Sequence, residues 1–116
     1  MPSIFLMNEV TVLTEDTFEP FLQQAFVVVD FWAPWCGPCR ALLPVLDKIA
    51  QEYGICIGKV SVEDETMQRW VEAYKVRSIP TLLFFRSGKL METHVGLIQE
   101  RDLLNKIHFY RGKSDV

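Results

Sequence analysis

The 116 residues include only three cysteines, no run of basic side chains, and no apolar stretch near the ~20 residues a bilayer-spanning helix needs. Each shortage excludes something. Twelve Lys and Arg against fifteen Asp and Glu leave a net charge of −3 with no basic face, which argues against nucleic acid as a partner. The short apolar stretches argue against a membrane span. The opening Met1-Pro2-Ser3-Ile4-Phe5-Leu6-Met7-Asn8-Glu9 lacks a basic start, a long apolar segment and a small-residue cleavage site, so no secretory signal is expected. An odd cysteine count is unlike a secreted disulfide scaffold and points to a reducing, cytoplasmic setting with cysteines kept for chemistry. A closed zinc site needs four ligands. Cys36 and Cys39 supply two and no second pair exists, so no metal is expected. None of the six glycines forms a Gly-x-Gly-x-x-Gly dinucleotide fingerprint, so no bound cofactor is expected either.

What is present is apolar. Such residues make up 49% of the chain, enough for one core, and the whole of 1–116 is expected to be one domain. Val10-Thr11-Val12-Leu13 reads as a first strand. Thr14-Glu15-Asp16 opens a short helix through Phe18, Phe21 and Leu22, made irregular by Pro20. Phe26-Val27-Val28-Val29-Asp30-Phe31-Trp32 reads as a central strand covered on both faces. From Gly37 to Glu52 the period becomes helical through Leu42, Val45, Leu46 and Ile49, with Pro44 inside and Gly54 at the end. Residues 55–62 are expected to form another strand, parallel to the central strand 26–32 across a right-handed crossover. A helix from Glu65 to Tyr74 turns Met67, Trp70 and Val71 inward. Thr81 to Phe85 and Leu90 to Val95 make an antiparallel hairpin across Arg86-Ser87-Gly88-Lys89. Leu103, Leu104 and Ile107 mark a last helix. The fold class is α/β: a mixed sheet of four to five strands flanked by four helices.

Trp35-Cys36-Gly37-Pro38-Cys39 stands where the central strand hands over to its helix, the end of a strand at which α/β sheets build sites. At a helix start the two cysteines are about one turn apart, within reach of a disulfide. Unpaired N–H groups and the helix dipole favour thiolate there, so Cys36 is expected to have a depressed pKa. Pro38 suits a first turn and Gly37 leaves room beside the nucleophile. Asp30, a carboxylate within an apolar strand, is expected to titrate toward neutrality if buried; the other reading is an exposed strand end. Pro80 opens a strand as either a trans or a cis residue.

Phe31-Trp32-Ala33-Pro34-Trp35-Cys36-Gly37-Pro38-Cys39 resembles the active-site segment of the thioredoxin family, and a Cys-x-x-Cys beside a strand–helix–strand unit is a general mark of such domains. Asp30 before the motif, Lys59 in the next strand, Ile79-Pro80-Thr81 before the hairpin and Gly96 after it follow in family order, so the resemblance covers about residues 8 to 110. It implies the thioredoxin fold. It also implies a protein-disulfide reductase in which Cys36 attacks, Cys39 resolves, buried Asp30 takes a proton from Cys39, and Lys59 tunes Asp30. Pro80 would be cis and Ile79 would offer backbone to a client. Trp35, Gly37, Pro38 and Gly96 would line the contact surface, with Trp32 mostly packed. A thioredoxin reductase linked to NADPH or ferredoxin would recharge the chain, and client protein disulfides would be its substrates; a monomer is the default expectation. Ser78, where many members have glycine, bears on substrate range; Arg40 keeps the common positive charge. Cys56 reads as a buried inert thiol, and His94 and His108 as surface residues. The competing functions are an oxidant or isomerase of the same fold, a metal module, and a docking subunit. Gly37-Pro38 between the cysteines goes with reducing members of the family.

Overall fold

A computed structural model describes residues 9–112. The opening Met1–Asn8, on which the expectation of no secretory signal rests, lies outside the described residues, as do 113–116. The strands are β1 (Thr11–Val12), β2 (Phe26–Trp32), β3 (Cys56–Ser61), β4 (Thr81–Arg86) and β5 (Lys89–Val95). The helices are α1 (Phe18–Leu22), α2 (Gly37–Tyr53), α3 (Gln68–Ala73) and α4 (Glu100–Arg111). The five strands lie in the order β1-β3-β2-β4-β5. β2 and β3 are parallel, as are β1 and β3, while β4 runs antiparallel to both β2 and β5.

Strand periodicity explains the two-sided core. Successive side chains alternate faces. Phe26 and Val28 of β2, Ile57 of β3, and Leu82 and Phe84 of β4 pack with Leu42, Leu46 and Ile49 of α2 and with Leu103 and Ile107 of α4. Val27, Val29 and Phe31 of β2, Val60 of β3, and Leu83 and Phe85 of β4 pack with Phe18 and Leu22 of α1 and with Met67 and Trp70. The continuous apolar run of β2 is thus a strand covered on both sides. Each buried Leu, Ile, Val or Phe contributes about 1.5–3 kcal/mol of transfer free energy. Side-chain contacts lock the outer layers: Phe18 stacks on Trp70 at 4.6 Å between ring centroids, and the Trp70 indole donates to Glu19 at 3.1 Å.

Several expected boundaries shift. The strand expected from Val10 is paired only over Thr11–Val12. The first helix begins at Phe18, because Thr14 and Thr17 spend their groups on each other in a preceding turn (Thr14 N–H to Thr17 Oγ1, 2.8 Å). Pro20 is then the third residue of α1, where its missing N–H costs nothing. The helix expected over 65–74 is divided. Glu65–Met67 form a 3₁₀ turn capped by Asp64, whose carboxylate accepts from Thr66 N–H at 2.9 Å, and α3 follows. α2 runs through Pro44 and stops at Gly54, whose backbone is left-handed.

Cys56 is half-buried rather than buried. It is the first residue of β3, at a sheet end, where its thiol donates to Gln24 Oε1 at 3.4 Å. Partial burial pushes that thiol up, in keeping with an unreactive sulfur. His94 is also half-buried, because its Nε2 hydrogen-bonds the Leu97 carbonyl at 3.1 Å; His108 is exposed.

Candidate active site

The site begins with the face on which β2 sets Asp30. Residues 26 and 28 face α2 and α4, so residue 30 does too. In the sheet Asp30 stands opposite Lys59 of β3 and Leu82 of β4. Asp30 has no exposed surface. Neither carboxylate oxygen has a hydrogen-bond partner among the described residues. Desolvation lifts its pKa from 3.8 to about 7, and the positive charge of Lys59 partly opposes the rise. No hydrogen bond joins the two; the Lys59 ammonium instead lies 4.7 Å from the centre of the Trp32 ring, a cation–π contact. Trp32 is half-buried, so part of its indole carries this role rather than core packing alone.

Above this strand end the chain turns into α2. Cys36 N–H donates to the Ala33 carbonyl at 3.1 Å, closing the turn. Cys36 is the N-cap of α2, extended in backbone, and its Sγ accepts the N–H of Cys39 at 3.2 Å. A cap position directs the side chain toward otherwise unpaired amides. Cys36 and Cys39 are joined in a disulfide across a Cα separation of 5.2 Å. The two sulfurs are not equivalent in access. Cys36 keeps 6% of its surface open whereas Cys39 has none. Gly37 and Pro38 sit exposed in the first turn, and a Cβ built on Gly37 would meet nothing within 4 Å.

The remaining wall comes from distant sequence. Ile79 packs against the cluster of Ala33, Cys36 and Cys39, together with Trp32 and Val62. The Ile79–Pro80 peptide is cis, and Pro80 is buried. The Pro80 carbonyl accepts the N–H of Gly96 at 2.8 Å. Gly96 has φ of +96°, and a Cβ there would project into open space, so backbone conformation rather than crowding selects glycine. Trp35 is 63% exposed beside the disulfide, and its indole N–H donates to the carboxylate of Glu63.

Trp35 and Ile79 share an open groove of about 220 Å³, completed by Val62, Val76, Arg77 and Ser78. Glu63, Val62, Val76 and Arg77 were not singled out from sequence. They belong to loops with no motif of their own, and only an acidic residue just after a strand end could have hinted at Glu63. A separate cavity of about 550 Å³ between β5 and α4, lined by His94 and Asn105 among others, contains no cysteine and is not this site. No cluster of His, Cys, Asp or Glu among the described residues could hold a metal ion. No helix among them is long and apolar enough to cross a membrane.

A disulfide-closed cysteine pair at a helix start, following a strand that carries a buried acid and packed against the residue before a cis-proline, on a mixed sheet covered by helices, defines a thiol–disulfide oxidoreductase. The thioredoxin family model matches residues 9–108, and the chain belongs to that family. It is similar to Thioredoxin 1 of Synechococcus elongatus, 39% identical over 103 residues that span 87% of this chain and 96% of that protein. It is also similar to the chloroplastic M-type thioredoxin of Pisum sativum, 35% identical over 90% of this chain and 62% of the relative. Among solved structures, a single-site mutant of a thioredoxin from Halobacterium salinarum superposes with a TM-score of 0.79 at 32% identity, covering 91% of this chain and 94% of that one. The chemistry of the present chain is dithiol–disulfide exchange through Cys36 and Cys39, and, as is standard for the family, a reductase returns the pair to the dithiol.

Proposed function

We propose that the chain reduces disulfides in client proteins, with Cys36 as the attacking thiolate and Cys39 as the resolving thiol. The observation that carries this assignment is the asymmetry of access: Cys36 reaches the surface at a helix N-cap with an amide aimed at its sulfur, while Cys39 is sealed. Cys36 Sγ attacks one client sulfur, and the other client sulfur leaves as a thiolate. Cys39 then loses its proton and attacks Cys36 Sγ, releasing the second client thiolate. The client gains two electrons and two protons, and the chain ends as the disulfide. Asp30 takes the Cys39 proton, since an acid titrating at about 7 is half-ionised at working pH. Lys59 keeps Asp30 from rising further.

Trp35, Gly37, Pro38, Ile79, Pro80 and Gly96 form the client contact surface, with the Ile79 backbone available for strand-like pairing. A thioredoxin reductase, linked to NADPH or ferredoxin, restores the dithiol. We assign the protein to the cytoplasm as a monomer, with residues 9–112 forming one domain. An insulin-reduction assay tests the reading. Cys36→Ser is expected to abolish turnover with the fold retained, and Cys39→Ser to accumulate a mixed disulfide. Unchanged turnover in Cys36→Ser overturns the assignment. The reduction potential separates this from an oxidant of the same fold: a value of about −270 mV, typical of thioredoxin, supports reduction, and one near about −120 mV rejects it.

A further inference from the structure

The groove beside the disulfide has a one-sided chemistry. Trp35, Val62, Val76 and Ile79 supply apolar walls, and the polar lining is Arg77 and Ser78. The Arg77 guanidinium and the Ser78 hydroxyl have no hydrogen-bond or ion-pair partner among the described residues; only the Ser78 carbonyl is engaged, accepting from Thr81 Oγ1 at 2.6 Å. The neighbouring carboxylate, Glu63, is turned to the Trp35 indole and does not line the groove. On the far side Arg77 borders a second recess that is also lined by one acid, Glu72, and one base, Lys75. The groove therefore offers guanidinium N–H groups and one hydroxyl, with no acceptor carboxylate for a basic side chain. Ile79 is a wall of this groove and also packs on the cysteine pair, so a residue adjacent to an attacked sulfur falls within its reach.

Resting on the reductase reading, we propose that Arg77, aided by Ser78, makes this groove select clients carrying an acidic side chain next to the disulfide cysteine. The preference is local. The chain's net charge of −3 slightly disfavours acidic clients at long range, so the groove acts against that background.

The test uses two disulfide-bonded peptides of equal length, one with Glu and one with Lys beside the cysteine. The readout is the ratio of their kcat/KM values at low ionic strength. The wild-type chain is expected to favour the Glu peptide about two- to fivefold, the range of an exposed ion pair, and to lose the preference in high salt. Arg77→Ala brings the ratio to about one and Arg77→Glu inverts it. Lys89→Ala, at the hairpin end of the sheet, changes the net charge by the same amount and leaves the ratio alone. A ratio that is equal in wild type and Arg77→Ala, or that Lys89→Ala shifts as far, overturns the charge selection while the reductase reading stands. Failure of the wild type to reduce either peptide overturns the reductase reading itself.

Discussion

One buried carboxyl ties part of this protein's stability to pH. Asp30 titrates at about 7 in the folded chain, against 3.8 for an ordinary aspartate. Between those values the folded state holds a proton that the unfolded state has released. The contribution of Asp30 to stability is therefore largest below pH 4, falls as pH rises toward 7, and levels off above it, by about 4 kcal/mol. Asp30→Asn removes the ionisation, so the variant should be more stable than the parent at pH 8 by up to about 4 kcal/mol and lose this slope. Urea unfolding at pH 5 and pH 8 measures both; a parent equally stable at the two values contradicts a buried ionisable group. In the same variant, resolution of the mixed disulfide should slow by about a hundredfold in single-turnover assays, with the Cys36 attack less affected. Asp30 was legible from sequence because charge inside an apolar strand has few explanations. Glu63 was not, since its role arises only where its loop meets Trp35.

At the level of elements, β3 shows how a small residue sets a close approach. Gly58 is buried in the middle of β3, and a Cβ there would lie 2.7 Å from the Leu13 side chain. Leu13 in turn is part of the core under α1 and α3. Gly58→Val should force Leu13 and β1 outward and cost about 1–3 kcal/mol in chemical denaturation, with the active site intact. A neutral result would mean that β1 moves aside freely. Elements of strong period, β2, α2, β4 and α4, were readable in advance. Their ends were less so. β1 shrinks to two paired residues, and α3 starts as a 3₁₀ turn because Asp64 captures the local N–H groups. Cys56 departed from its expected burial for a related reason, as it lies where the strand starts rather than within it.

Across the whole molecule, stability should be graded from the centre of the sheet outward. β2 is flanked on both sides and buried on both faces, while β1 is an exposed edge of two residues. Hydrogen exchange should find β2 amides opening only with global unfolding and β1 amides exchanging fastest; rapid exchange in β2 would contradict the two-sided core. Reduction of Cys36–Cys39, which closes a short loop, should lower stability by about 2 kcal/mol without loss of fold, measurable as a lower denaturation midpoint in reductant. The sequence by itself determined the alternation of strands and helices, the position of the cysteine pair at a strand–helix junction and the unusual acid in the central strand, because these are local patterns of period, cap and polarity. Only the tertiary structure decided which cysteine meets solvent, that Asp30 is desolvated beside Lys59, and that Arg77 and Ser78 border the same groove as Trp35. Burial and juxtaposition depend on contacts between segments far apart in the chain, and no local pattern encodes those distances.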